Sequence, residues 1–113
     1  MTEKRVPYRV VLTDEAAALL ETIAYRDRRI AGKLADSMED LSTVPQLKGR
    51  CLRGEFAGCL SRHCLGNRFR IVYTIHEPAR TVEVISLGIR KAGDRKDVYE
   101  LTRKILNRLR GTK

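Results

Sequence analysis

The sequence predicts a small α+β domain of order β-α-α-β-β-β-α, a small antiparallel sheet with an αα-hairpin on one face and a C-terminal helix. Three observations predict it. Apolar residues recur at helical spacing between residues 14 and 41, alternate as in strands up to residue 89, and return to helical spacing over 98–109. A chain of 113 residues supports one core, so residues 1–113 form a single domain.

Residues 6–12 read as the first strand, with Val6, Tyr8 and Val10 alternating against Pro7, Arg9 and Val11. Thr13 or Asp14 suits the cap of the following helix, and Glu15 suits its positive first turn. Ala16, Leu19 or Leu20, and Ile23 give that helix one apolar face. After YRDRR, a second stripe of Ile30, Leu34, Met38 and Leu41 continues to Val44-Pro45, where proline disfavours helix in the residue before it. Two amphipathic helices joined by a short polar link make an αα-hairpin.

From Leu47 the period changes. Gly49, Gly54 and Gly58 punctuate LKGRCLRGEFAG, a turn-rich lead into a strand over 59–65, and Gly66-Asn67 marks the next turn. In the strand over 68–76, Phe69, Ile71, Tyr73 and Ile75 share one face, which should meet the hairpin. Arg68, Arg70, Thr74 and His76 belong to the other, more open face. After the turn Glu77-Pro78-Ala79-Arg80, residues 81–89 are apolar on both faces and so read as an interior strand, with Val82 and Val84 opposed to Ile85, Leu87 and Ile89. A polar loop then leads to a helix on which Val98, Leu101, Ile105 and Leu109 form the apolar stripe.

Charge is distributed unevenly. Residues 1–46 carry seven Lys and Arg against eight Asp and Glu, while residues 47–113 carry sixteen against six, a net of +10 within the overall +9. Arginines outnumber lysines sixteen to seven, and arginine forks onto phosphate, so a polyanionic partner is expected. No apolar run approaches the roughly 20 residues a membrane span needs, and the N-terminus lacks the pattern of a secretory signal. Cys51, Cys59 and Cys64 match no zinc spacing and read as reduced thiols. A cytoplasmic protein with no membrane association is the expectation.

The open face concentrates chemistry. Arg62 or His63, according to register, shares it with Arg70; Arg90 ends the adjacent strand, and Tyr99 follows a loop. These groups, with no evident carboxylate partners, would bind an anion and move protons. Cleavage of RNA needs a base for the 2′-hydroxyl, cations for the pentacoordinate phosphate and an acid for the leaving oxygen. No metal and no cofactor is called for. Plainer alternatives stand beside each residue: an Arg70–Glu83 ion pair, a solvated His76, a Tyr99 that packs its helix, and an Arg90 that is a soluble strand end.

The segments LKGRCLRGEFAG, CLSRHCLGNRFRIVYTI, VEVISLGIR and DVY, in that order, resemble the RelE/ParE superfamily of toxins from type II toxin–antitoxin modules, and the likeness covers nearly the whole chain. The resemblance implies a RelE-like mRNA interferase that enters the ribosomal A site, cuts messenger RNA and arrests growth. It also implies a cognate antitoxin, which covers the basic face or displaces the C-terminal helix. Carried over by position, Arg70 steadies the scissile phosphate and Arg90 adds a second cation. His63 stands at a catalytic lysine's place, and Tyr99 matches the late tyrosine that stacks on or protonates the substrate. Ser61 departs from the second lysine of RelE proper, and the loop KAGDRKDV is longer. Imidazoles titrate nearer neutral pH than ammonium groups, so a histidine can serve as base there.

Around this set, Arg53, Arg62, Arg68, Lys91 and Arg95 are the cations expected to hold the RNA. The alternative from the same superfamily is a ParE-like toxin that inhibits DNA gyrase by binding, without nuclease activity. A nontoxic RNA-binding module fits less well, since aromatics make up only 5% of the chain and stacking platforms usually carry such binding.

Overall fold

The structure, a computed structural model, describes residues 6–111. The elements are β1 (Arg9–Leu12), α1 (Asp14–Arg26), α2 (Arg28–Glu39), β2 (Arg50–Cys51), β3 (Leu60–Cys64), β4 (Phe69–His76), β5 (Thr81–Ile89) and α3 (Val98–Leu109). Short 3-10 turns at Asp40–Ser42, Pro45–Leu47 and Gly54–Phe56 fill the connections. The α+β class, the helical hairpin, the three-strand meander and the C-terminal helix stand as expected, but on that helix Leu106 is buried and Leu109, in the last turn, is exposed, so the expected stripe is corrected there.

The sheet runs β1-β5-β4-β3-β2. It is antiparallel except at one edge, where β1 pairs with β5 in parallel, Arg9 opposite Thr81 and Leu12 opposite Val84. The antiparallel expectation is therefore corrected to a mixed sheet. Antiparallel strands follow from tight turns, but β1 reaches β5 only after the hairpin and three other strands, so no turn dictates its sense. The two-residue β2 was not anticipated either, because Arg50 and Cys51 lie exposed among glycines and show no alternating pattern.

Thr13 caps α1, its hydroxyl accepting from the amide of Ala16 and donating to the carbonyl of Ile85, so one side chain fixes both the helix start and its seat on β5. Asp27 ends α1 and caps α2, accepting from the amides of Arg29 and Ile30. Leu34, Met38, Leu41 and Ala16 pack against Phe69, Ile71, Tyr73, Val82 and Val84 to form the main core. The predicted inward row of β4 thus meets the hairpin.

Behind the sheet, Val98, Ile105 and Leu106 of α3 pack on Cys59, Val72 and Ile85. Burying each aliphatic side chain contributes about 1.5–3 kcal/mol, so this face anchors α3 firmly. A bulge shapes the layer. Val72 opposes Ser86 but Tyr73 opposes Val84, which leaves Ile85 as an extra residue. Ile85 turns toward α3, Ser86 hydrogen-bonds Thr102 of α3, and Leu87 returns to the hairpin side. Strict alternation had grouped Leu87 and Ile89 with Ile85; the bulge moves both to the face of Val82 and Val84.

Candidate functional site

The site lies at the end of the sheet that α3 leaves uncovered. Register decides which residue joins Arg70: His63 lies directly opposite it, while Arg62 lies opposite Ile71. His63 is exposed and Arg70 half-buried. Arg70 Nη1 donates to the carbonyl of Asn67 at 2.6 Å and more weakly to that of Phe69 at 3.4 Å, so the turn orients the guanidinium. The alternative Arg70–Glu83 pair does not form. Glu83 lies opposite Thr74, and its carboxylate sits 3.0 Å from His76 Nε2, which leaves His76 outside the site.

Arg62 points the other way. Its Nη1 donates to the carbonyl of Ser37 and to Asp40 Oδ2, both at 3.0 Å. Asp40 also takes Lys48 at 2.8 Å, and hydrogen bonds from Lys48 and then Arg62 hold its carboxyl below the ordinary carboxylate range. Alternation along β3 sends Arg62 to the hairpin face, so the structure does not bring it to Arg70. Arg68 lies outside β4 with its guanidinium 5.6 Å from the Phe69 ring centroid, and it does not extend the row of Arg70.

Arg90 and Tyr99 come together. The amide of Arg90 donates to the carbonyl of Arg68, fixing the strand end, and its guanidinium lies 4.9 Å from the centroid of the Tyr99 ring. Phe56 flanks that ring at 5.7 Å between centroids. The Tyr99 hydroxyl is 2.9 Å from Ser61 Oγ, on the same face of β3 as His63. Arg53, Phe56, Arg90, Tyr99 and Arg103 line one cleft of about 450 Å3. Lys91 and Arg95 are exposed in the loop beside it, and Lys91 Nζ lies 3.7 Å from Asp94.

One expectation changes. The arginines are not all without carboxylates, because Arg90 Nη1 donates to Asp97 Oδ1 at 2.7 Å. Asp97 is also the α3 cap and is almost wholly buried, accepting from the amides of Lys91 and Tyr99. Burial pushes its carboxyl up, but hydrogen bonds from Arg90 and the two amides outweigh that and hold it below the ordinary value. Asp97 and Phe56 were missed, and Ser61, noted only as a departure from a family lysine, proves to be the partner of Tyr99. An Asp just before a helical stripe is a cap signal, and it would have found Asp97; nothing local marks Phe56.

Arg70 and His63 thus offer an anion contact and a proton acceptor side by side. Arg90 keeps donors beyond the one that Asp97 occupies. Among the described residues no three His, Cys, Asp or Glu side chains gather as a metal would require, and no helix is long and apolar enough to cross a membrane.

No family profile and no curated protein matches the sequence. Solved structures do. A chain of the toxin–antitoxin complex RelBE2 from Mycobacterium tuberculosis is 30% identical over 79% of this chain and 98% of its own, with a TM-score of 0.65. The YoeB/ParE toxin from Agrobacterium tumefaciens is 24% identical over 74% of this chain and 99% of its own, also at 0.65. A mutant of Escherichia coli toxin RelE in the free state reaches 0.69 at 18% identity, over 91% of this chain and 98% of its own. At their identities the last two speak for the fold.

Proposed function

The chain belongs to the RelE-like toxin superfamily, and on that footing we propose that it is the toxin of a type II module that cuts messenger RNA in the ribosomal A site and blocks translation. Its partner is a cognate antitoxin, with which it assembles as an oligomer in the cytoplasm; the likeness to a chain of the RelBE2 complex supports this. The ribosome and messenger RNA are the partners in the reaction.

The observation that carries this reading is the direct cross-strand pairing of His63 with Arg70. In the proposed reaction the His63 imidazole takes the 2′-hydroxyl proton, and that oxygen attacks the adjacent phosphorus. Arg70 and the free donors of Arg90 stabilise the charge that builds on the phosphate. The 5′-oxygen of the next nucleotide leaves and is protonated, and Tyr99 stacks on the neighbouring base or supplies that proton. Arg53, Lys91 and Arg95 hold the backbone on either side. The reaction needs no metal ion held by the protein.

Primer extension of messenger RNA from a purified translation reaction tests this, with Arg70→Ala alongside. Ribosome-dependent cuts within the A-site codon are expected, and Arg70→Ala should lower their rate at least 100-fold with the melting temperature unchanged, since Arg70 bonds only local carbonyls. Protein treated with a chelator before addition should cut as fast. Cuts without ribosomes would make it a free ribonuclease.

One observation favours the second reading, a ParE-like inhibitor of DNA gyrase. The Arg90 guanidinium and the Tyr99 hydroxyl both already have partners within the fold. Intact message together with inhibited DNA supercoiling would establish that reading instead.

A further inference from the structure

The sequence is poor in aromatics, yet Tyr25 stands 93% exposed at the tip of the α1–α2 hairpin, the most exposed large apolar side chain among the described residues. It sits in YRDRR, a segment that neither the core nor the candidate site uses. Arg26, Arg28 and Arg29 surround it, and with Glu21 and Asp27 they border a cleft of about 710 Å3. None of these arginines forms an ion pair among the described residues. Asp27 is spent on the backbone, its Oδ1 accepting from the amides of Arg29 at 3.0 Å and Ile30 at 3.2 Å. Glu21 is the remaining acid at this tip. The first 46 residues are net −1, so the three guanidinium groups form a local island rather than part of a general excess.

An exposed ring costs hydration and stabilises nothing in the fold, whereas a base can stack on it. Guanidinium groups beside such a ring reach the phosphates on either side of a stacked base. We propose that the hairpin tip is a second RNA-binding site, which stacks one unpaired base on Tyr25 and holds the flanking phosphates with Arg26, Arg28 and Arg29. An acidic peptide would engage the arginines but leave the ring bare, and a paired duplex offers no free base. The hairpin covers the face of the sheet opposite α3, so this contact is separate from His63 and Arg70. The inference goes beyond the nuclease reading and does not rest on it.

The test is fluorescence anisotropy with a labelled 2′-O-methyl stem–loop RNA, which has no 2′-hydroxyl to attack and therefore survives whether or not the protein is a nuclease. Tyr25→Ala should weaken binding about tenfold, as loss of one stacked base does. Tyr25→Phe should bind within about twofold of wild type, because the ring face and not the hydroxyl makes the contact. Arg28→Ala/Arg29→Ala should flatten the logarithmic salt dependence by about 1.4, at roughly 0.7 per phosphate for a single strand. Unchanged melting temperatures will show that the fold is intact. Wild-type affinity in Tyr25→Ala, equal weakening in Tyr25→Phe, or equally tight binding of a fully paired duplex would each overturn the proposal. Cleavage by the same variants in the translation reaction reports on the nuclease reading separately.

Discussion

Arg90, at the end of β5, is tied by its Nη1 to the Asp97 carboxylate that caps α3, at 2.7 Å. One buried acid therefore aims the arginine, closes the loop through the Lys91 amide and starts the helix that carries Tyr99. Asp97→Ala removes a cap and charge-assisted bonds together and should cost about 3 kcal/mol. Asp97→Asn keeps an accepting oxygen for the cap and should cost less in stability, but it loses the charge that orients Arg90. Chemical denaturation and cleavage kinetics will separate the two: for Asp97→Asn the rate should fall by a larger factor than the folding constant.

The same acid gives stability a pH dependence. Its native pKa lies below the ordinary 3.8, so its contribution is present above that value and is lost as pH falls through the lower native one. Asp40 and Glu15 are lowered too, the first by Lys48 and Arg62 and the second by Arg108. Wild type should lose stability steeply below about pH 4, and Asp97→Asn less steeply. Thermal melts between pH 2 and 6 will show it; parallel curves would mean that Asp97 does not govern the acid limb.

Arg62 is committed to Ser37 and Asp40 on the hairpin side. Arg62→Ala should cost about 1 kcal/mol or less, as partly exposed pairs do, and should leave the salt dependence of RNA binding unchanged. Arg53→Ala, in the cleft with Arg90 and Tyr99, should reduce that dependence. Anisotropy titrations over a range of salt concentrations distinguish them.

Tyr73 is fully buried and its hydroxyl donates to the Pro45 carbonyl at 2.8 Å. A Cβ on Gly49 would stand 2.7 Å from that hydroxyl and 3.0 Å from the Ser61 carbonyl. Tyr73→Phe should cost about 1–2 kcal/mol by orphaning the carbonyl, and Gly49→Ala about 1–3 kcal/mol by overpacking. The double variant should cost less than their sum, because removing the hydroxyl relieves part of the clash. Burial also pushes the Tyr73 pKa up to about 12, so folding favours the neutral phenol. That stability is whole below about pH 10 and is lost as pH rises toward 12, which absorbance titration at alkaline pH will detect.

Much of this fold was legible because its signals are local. Thr13 caps α1, as capping chemistry says it should, and the stripe from Ile30 to Leu41 lies against the sheet as its period requires. The β4 row from Phe69 to Tyr73 reached the hairpin for the same reason. Leu87 did not stay on the face that alternation assigned it, because a bulge is a two-strand event and leaves no mark in one strand's pattern.

The sequence by itself determined the order of every element but β2, the apolar faces of the first two helices, the basic second half and the candidates Arg70, His63, Arg90 and Tyr99. Tertiary structure decided the parallel β1–β5 edge, the choice of His63 over Arg62 as the neighbour of Arg70, and the seating of Arg90 on Asp97. Period and capping are set by residues within a few positions of one another. Register and ion pairing depend on which distant segments meet, and packing of the whole core selects those partners.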